Sequence, residues 1–515
     1  MYPGEHAGLR PDQPAVIMAA SGEVLTYGQL ERRSNRLAHL LRANGLRRLD
    51  HYAVFMENNA RYVECCTAGE RTGLYYTCIN SYLTPDEVAY IINNSESKIL
   101  ITSQAKRAVA LAAIGQCPNV TLCLIVDGPG DGCAQNLDEA TAAFPETPIA
   151  DEALGTAMLY SSGTTGRPKG ILRPLPNQPP AQKLPVYDFL MKLWRFRDGM
   201  TYLSPAPLYH AAPHAGVAFT IHLGGTAVIM EHFDAEHFLR LVEQYKVTHT
   251  QLVPTMFSRM LKLPEETRGC YDLSSLEVAI HAAAPCPVQV KEQMIDWWGP
   301  IILEYYGMTE AIGFTACDSA EWRAHKGTVG RVLFGDLHVL DEAMNPVPSG
   351  IVGTVWFRLG SPFEYFNDTA RTAESLSSDG TMGTVGDVGY VDTDGYLYLT
   401  DRVTFMLISG GVNIYPQECE DLLITHPKVA DAAVFGVPNA DLGEEVKAVV
   451  QPMPGIDAGA DLAEQLIAFC REHLAHIKCP RSVDFEEQLP RLPTGKLYKR
   501  VLRDRYWSDR ESRIV

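Results

Sequence analysis

The sequence has no apolar run approaching 18 residues, so no stretch is long enough to cross a bilayer as a helix. Met1 to Gln13 is polar and lacks the charged-then-apolar layout of a signal peptide. Ser512-Arg513-Ile514-Val515 reads as neither a peroxisomal nor an ER address. No C-x-x-C pair occurs among the 12 cysteines, which removes the usual zinc and thiol-exchange spacings. Reduced, buried thiols in a cytoplasmic protein are the expectation that remains. Positive charge is scarce: 44 Lys and Arg against 62 Asp and Glu leave a net charge of −18, which argues against general nucleic-acid affinity. The phosphate loop G-x-x-x-x-G-K-[ST] is also missing. Five positions on from Gly163 stands Pro168, and Gly170 follows Lys169 where Ser or Thr would be needed.

What is present is a chain of 515 residues, 46% apolar and 21% charged, too long for one small core. Short apolar runs alternate with amphipathic stretches. Leu30, Leu37, Leu40 and Leu41 share one helical face, and Ala53 to Met56 reads as a strand. A helix over 61–79 gives way to a strand near Tyr75. Thr84-Pro85-Asp86-Glu87 sets a cap, a first-turn proline and early acids ahead of Val88 and Ile91. Ile99–Thr102 and Thr121–Val126 read as buried strands. This alternation predicts an α/β half with a largely parallel sheet. Residues 173–185 hold five prolines and predict an exposed loop. Short strands and turns fill 327–400. Beyond them lies a small α+β region: a helix from Glu418, strands at Val429–Val437 and Val446–Val450, and a helix over Leu462–Leu474.

Several stretches have the composition of a nucleotide site. Tyr160-Ser161-Ser162-Gly163-Thr164-Thr165-Gly166-Arg167-Pro168-Lys169-Gly170 packs three glycines, four aliphatic hydroxyls and two cations into eleven residues. Glycines let backbone N–H groups converge, and hydroxyls and cations add donors, which suits a di- or triphosphate. On composition alone it is equally a polar surface turn. Pro207-Leu208-Tyr209-His210 follows a strand, where a lone His is most often structural. Val278-Ala279-Ile280-His281-Ala282-Ala283-Ala284-Pro285 ends a strand in small side chains, which allow a flat ring or close packing. Tyr305-Tyr306-Gly307-Met308-Thr309-Glu310 offers a stacking face, close approach, a hydroxyl and a hard oxygen ligand. Gly386-Asp387-Val388-Gly389, Asp401-Arg402-Val403-Thr404, Ser409-Gly410-Gly411 and Leu489-Pro490-Arg491-Leu492-Pro493-Thr494-Gly495-Lys496 complete the series. Arg491–Val515 carries eight Lys or Arg against three Asp or Glu.

In this order, over about residues 11–505, these motifs resemble the adenylate-forming superfamily, which contains acyl- and aryl-CoA synthetases. The resemblance implies an α/β fold: a large N-terminal multi-subdomain α/β domain (1–402) and a small mobile C-terminal α+β domain (403–515). It implies that Ser161, Ser162, Gly163, Thr164, Thr165, Gly166 and Lys169 hold the leaving pyrophosphate. Ala282, Ala283, Ala284, Pro285, Tyr306 and Gly307 would face the nucleotide, Thr309 the α-phosphate and Glu310 a Mg²⁺ ion. Asp387 and Arg402 would take the ribose, and Lys496 would bridge carboxylate and α-phosphate as the principal catalytic residue. His210, Gly410 and Gly411 would border the pantetheine channel, and Tyr209, His281, Met308 and Ile312 the acyl pocket. Thr404 stands at the hinge, where the family usually has Asp or Lys. Pro213 and the alanines at 282–284 stand where glycine is common.

The implied reaction is ATP-dependent activation of a carboxylic acid to acyl-AMP, then transfer to the thiol of coenzyme A with release of AMP. A fatty or other hydrophobic acid ranks first and an aryl acid second. A stand-alone adenylating enzyme with another acceptor, or a non-catalytic nucleotide-binding homologue, are the alternatives. Free CoA is favoured as acceptor because no carrier domain follows Lys496. The expected partners are small molecules, with no nucleic acid and no membrane span, and a homodimer is compatible with this reading.

Overall fold

The computed structural model describes residues 2–161, 168–360, 363–402, 405–409, 412–439, 442–491 and 497–507, with the backbone alone at 401, 402 and 413. Contacts divide the chain into two compact units. One is Met1–Leu252, Lys262–Ile280 and Pro362–Ala373; the other is Val253–Leu261, His281–Ser361 and Glu374–Val515.

In the first unit a six-stranded sheet runs in the order Gln135–Asn136, Leu122–Val126, Ile99–Ser103, His51–Phe55, Tyr75–Cys78, Thr156–Ala157. Every pairing in it is parallel. Strands His51–Phe55 and Ile99–Ser103 are buried at all positions, as a sheet covered on both faces requires, and this is why they read as unbroken apolar runs. Helix Pro85–Asn94 starts as its sequence predicts, with Thr84 and Glu87 closing a capping box and Pro85 at the first turn. Helix Tyr27–Ala43 buries Leu30, Leu37, Leu40 and Leu41. In a second sheet of this unit, Pro14–Met18 and Thr201–Ser204 flank Thr226–Ile229 in parallel, and His249–Leu252 continues the row. The proline-rich 173–184 forms neither helix nor strand, and Pro185 opens the helix Pro185–Trp194.

The second unit contains the antiparallel strands Ile302–Gly307, Phe314–Cys317 and Arg331–Phe334. It also holds the sheet Asp336–Leu340, Gly353–Arg358, Asp387–Val391, Leu397–Arg402. Further along, Val429–Asn439 and Gly443–Pro452 form a long antiparallel pair, joined by Leu407–Ser409 and Ser482–Phe485. Alternation places Ala432 and Val434 in one cluster with Leu423, Leu466 and Cys470 of the helices Gln417–Thr425 and Ala460–His473. Ala433, Phe435 and Val437 face the other way, onto Leu489 and Leu502. The strand is thus buried on both sides, and no polar alternation marks it. All 12 cysteines are free thiols.

Two histidines of the first unit are buried among apolar and aromatic neighbours. His51 stacks on Tyr75, and His249 meets Phe196 edge-on. Burial pushes each pKa down to about 4. A group with a depressed folded pKa binds its proton more weakly in the native state than in the unfolded chain, whose value is about 6.5. Stability is therefore present at neutral pH and lost as pH falls from about 6.5 toward 4. Between pH 7 and pH 5 each histidine should cost about 2 kcal/mol. Urea unfolding at the two pH values should show this loss, and His249→Phe should reduce it. An unchanged pH dependence in the variant would contradict the assignment.

Candidate active site

In the first unit, strand Leu159–Ser161 pairs antiparallel with Lys169–Leu172, and Ser161 is the register partner of Lys169. The two ends of the Ser/Thr/Gly stretch are thus cross-strand neighbours. Ser162, Gly163, Thr164, Thr165 and Gly166 lie outside the described residues. The Lys169 ammonium sits over the Tyr365 ring, 4.4 Å from its centroid. Strand Glu364–Tyr365, which supplies that ring, pairs with Lys169–Leu172 on its other edge. Tyr365 was not singled out by the sequence. Its only signal there is an aromatic cluster at Phe363, Tyr365 and Phe366.

His210 caps the helix Ala211–His222, and its ring lies edge-on to Tyr209 at 4.5 Å. Its Nε2 is buried with no hydrogen-bond partner among the described residues, and burial pushes its pKa down to about 3. The imidazole is therefore neutral over the working range. A neutral ring beside Tyr209 can border a channel for uncharged groups without adding fixed charge.

The second unit gathers the remaining described motifs. Tyr306 ends the strand Ile302–Gly307, and Asp387 begins Asp387–Val391. The Tyr306 hydroxyl donates to Asp387 Oδ2 at 2.7 Å. Asp387 is also the cross-strand register partner of Arg402, so three predicted nucleotide residues converge through one sheet and one hydrogen bond. Gly386, at φ +79°, turns the chain into that strand in a conformation glycine reaches at little cost. A Cβ at Gly313 would stand 2.1 Å from the Phe357 ring, whose centroid lies 6.4 Å from that of Tyr306.

Met308 to Ala311 forms a turn closed by Ala311 N–H donating to the Met308 carbonyl at 2.9 Å. Thr309 and Glu310 are its middle residues and are partly exposed, which is compatible with the phosphate and cation contacts expected of them. Ile312, next along, is buried. Ala282 is buried, Ala283 and Pro285 are exposed, and Ala284 is partly exposed. Ala283 has φ +76°, the left-handed region, which explains why glycine is expected there.

His281 lies entirely inside the second unit. Its ring meets Phe257 edge-on at 5.4 Å, and Nε2 is 3.5 Å from Glu304 Oε2. Glu304 pairs with Lys291, whose ammonium also lies over Trp322. Burial and the Lys291 charge both hold His281 neutral. The Lys291–Glu304 pair was missed in the sequence, since one charge in a helix and one in a strand carry no spacing signal.

Lys496, Gly410, Gly411 and Thr404 lie outside the described residues, and Arg402 is described by its backbone. The chain on both sides of 492–496 is anchored within the second unit. Arg491 forks onto Asp431 through two nitrogens, and the buried Lys499 ammonium lies 2.8 Å from Glu420 Oε1. Arg491 and Leu497 also form an antiparallel bridge.

Two family models match the chain: AMP-binding enzyme over residues 4–363 and AMP-binding enzyme C-terminal domain over 418–496. The chain is 34% identical to a feruloyl-CoA synthase of Amycolatopsis sp over 510 residues, covering 98% of both proteins. It is 30% identical to the long-chain-fatty-acid–CoA ligase FadD13 of Mycobacterium tuberculosis, covering 98% of this chain and 97% of that protein. Among solved structures, ATP-bound MatB from Rhodopseudomonas palustris superposes with a TM-score of 0.78 at 29% identity, covering 98% and 99%. The o-succinylbenzoate CoA synthetase of Bacillus subtilis, holding its acyl-adenylate, gives 0.79 at 25% identity, covering 98% and 97%. The fold is accordingly mixed α/β, with a large N-terminal domain and a small C-terminal one.

The backbone at Ala283 gives a direct test of the turn. A Cβ in the left-handed region costs about 1–2 kcal/mol, and glycine removes it while adding about 0.5–1 kcal/mol of unfolded-state entropy. Ala283→Gly should therefore leave the urea midpoint unchanged or slightly raised. Ala283→Val should lower stability by at least about 1 kcal/mol, because a β-branched side chain is a clear outlier there. Equal effects of both substitutions would show that the turn is not left-handed.

Proposed function

The chain belongs to the AMP-binding enzyme family, and from that premise we propose the roles its residues play in an AMP-forming acid–CoA ligase. Its relatives are acyl- and aryl-CoA ligases that work through an acyl-adenylate, and ATP, a carboxylic acid and coenzyme A are its small-molecule substrates. The observation that supports the residue roles best is the Tyr306–Asp387 hydrogen bond with Arg402 across the same strand pair. It brings three motifs together where a ribose needs an acceptor and a neighbouring phosphate needs a cation.

In the first half-reaction a carboxylate oxygen attacks the α-phosphorus of ATP, a P–O bond forms, and the bond to pyrophosphate breaks. Two anions must approach, so neutralisation and positioning are the central demands. Lys496 answers the charge between carboxylate and α-phosphate, and Thr309 donates to the phosphate. Ser161 to Lys169 hold the departing pyrophosphate, with Lys169 steered by the Tyr365 ring. Glu310 supplies one carboxylate in an exposed turn, a donor set that fits Mg²⁺, which takes one or two carboxylates with phosphate oxygens. Bound there, the ion would offset phosphate charge. In the second half-reaction the thiol of CoA attacks the acyl carbonyl and AMP leaves. His210, Gly410 and Gly411 border that channel, and a neutral His210 keeps the thioester site free of a fixed positive charge.

The domain boundary in this reading falls at 402–403, with Thr404 as the pivot. A hydrophobic or aryl acid is the substrate class favoured in this reading, since the relatives include a long-chain-fatty-acid–CoA ligase and a feruloyl-CoA synthase. Free thiols at all 12 cysteines suit the cytoplasm, and no described helix is long and apolar enough to cross a membrane.

Acid-dependent pyrophosphate release that continues to thioester when CoA is added tests the activity. Lys496→Ala should slow adenylation by roughly 100-fold or more, on the scale of losing one transition-state donor. It should still convert presynthesised acyl-AMP and CoA to thioester. Equal loss of both half-reactions would remove the proposed division of labour. Absence of acid-dependent pyrophosphate release from the unmodified protein would favour the non-catalytic reading.

A further inference from the structure

Along one face of the helix Ala211–His222 stand imidazoles at intervals of four and eight residues. His210 caps it, His214 follows one turn on, and His222 ends it. His214 stands about 6 Å along the axis from His210 at 1.5 Å per residue. Within the first unit a small cavity opens on this face, lined by Tyr62, Cys66, Glu70, Leu208, His214 and His222 among others. Its volume of about 20 Å³ admits one water-sized group. Of all its lining residues, only His214 and Ala218 are partly exposed.

Its polar groups form a chain of hydrogen bonds with a direction. His222 Nε2 is 2.9 Å from Glu70 Oε2, and the Tyr187 hydroxyl meets His222 Nδ1. The Tyr76 hydroxyl is 3.2 Å from Glu70 Oε1 and 2.9 Å from His214 Nε2. Burial raises the Glu70 pKa, but His222, His214 and the Tyr76 bond together bring it below the usual carboxylate range. An ionised carboxylate only accepts, so the single Tyr76 O–H points to Glu70. The Tyr76 oxygen is then left to accept from His214 Nε2–H. Burial keeps His214 neutral, which puts the lone pair on Nδ1. That nitrogen has no partner among the described residues and is not sealed from solvent.

We propose that His214 Nδ1 is a hydroxyl-recognition point, and that the acid this enzyme activates carries on its tail a hydroxyl group that donates to it. The inference rests on the reading above that His210 marks the reacting end of the acid. Glu70, Tyr76 and His222 are positioning residues that fix the tautomer. A pocket built to bond a hydroxyl rejects the analogue lacking it far more strongly than one that merely fits its bulk, because a polar atom is left unpaired.

Paired acids test this: 4-hydroxycinnamate against cinnamate, and 12-hydroxydodecanoate against dodecanoate. In at least one pair the hydroxylated acid should be favoured at least tenfold in kcat/KM, mostly through KM. His214→Leu should bring that ratio close to one, whereas His214→Asn, which keeps an acceptor near Nδ1, should retain most of it. Equal use of both members of each pair would overturn hydroxyl recognition and leave the ligase reading standing. Ring-nitrogen NMR gives a readout independent of turnover. His214, assigned by its loss in His214→Asn, should show a bare Nδ1 that shifts with a hydroxylated acid and not with its deoxy partner. A protonated Nδ1, or equal shifts with both, would overturn the proposal even if every acid were activated.

Discussion

One hydrogen bond organises the predicted nucleotide residues of the second unit: the Tyr306 hydroxyl on the Asp387 carboxylate. The two residues are 81 positions apart and belong to different strand systems of the same unit. A hydrogen bond to a charged acceptor is worth about 1.5–3 kcal/mol, but its geometric effect is larger than its energy. It fixes the Tyr306 ring relative to the strand that pairs Asp387 with Arg402. The Phe357 ring lies 6.4 Å from it between centroids. The stacking face and the ribose acceptor of the proposed reading are thereby set in a constant relation to each other. Such preorganisation is what makes electrostatic catalysis inexpensive at the moment of reaction.

The same economy governs the buried histidines. Desolvation penalises an imidazolium, so His210, His214 and His281 are neutral for a shared physical reason, while their surroundings differ. His281 sits beside the Lys291–Glu304 pair and is a core group. His210 lies against Tyr209, and its Nε2 has no hydrogen-bond partner among the described residues. His214 is held by Tyr76 and exposes one nitrogen. Composition cannot separate these three. The neighbours that decide each case arrive from helices and strands tens to hundreds of residues away.

The parts of the fold that were legible are those set by local rules. The capping box at Thr84, the face of Leu30, Leu37, Leu40 and Leu41, and the apolar runs of the parallel sheet all have their causes within a few residues. The site was legible in a different way. No local rule distinguishes the 160–170 stretch from a surface turn, and only the ordered series of motifs suggests a pyrophosphate cradle there. What stayed hidden was pairing: Lys169 with Tyr365, Asp387 with Arg402, Lys291 with Glu304, and the Glu70–Tyr76–His214 relay. Each needs a register or a packing contact that sequence spacing does not encode.

The anchoring around 492–496 bears on how one lysine could serve a single half-reaction. Arg491 is clamped to Asp431 and Lys499 to Glu420, and both acids belong to the same small α+β body, on Val429–Asn439 and Gln417–Thr425. A buried ion pair contributes little net stability against an apolar substitute, but losing one partner is expensive. Such pairs are therefore better suited to holding position than to adding stability. The described residues on both sides of 492–496 are thus tied to that one body. In the proposed division of labour, a rotation of the small domain withdraws the Lys496 charge from the α-phosphate in one step. Alternation between half-reactions is, in that reading, a matter of backbone rotation at the proposed pivot and not of a side-chain charge there.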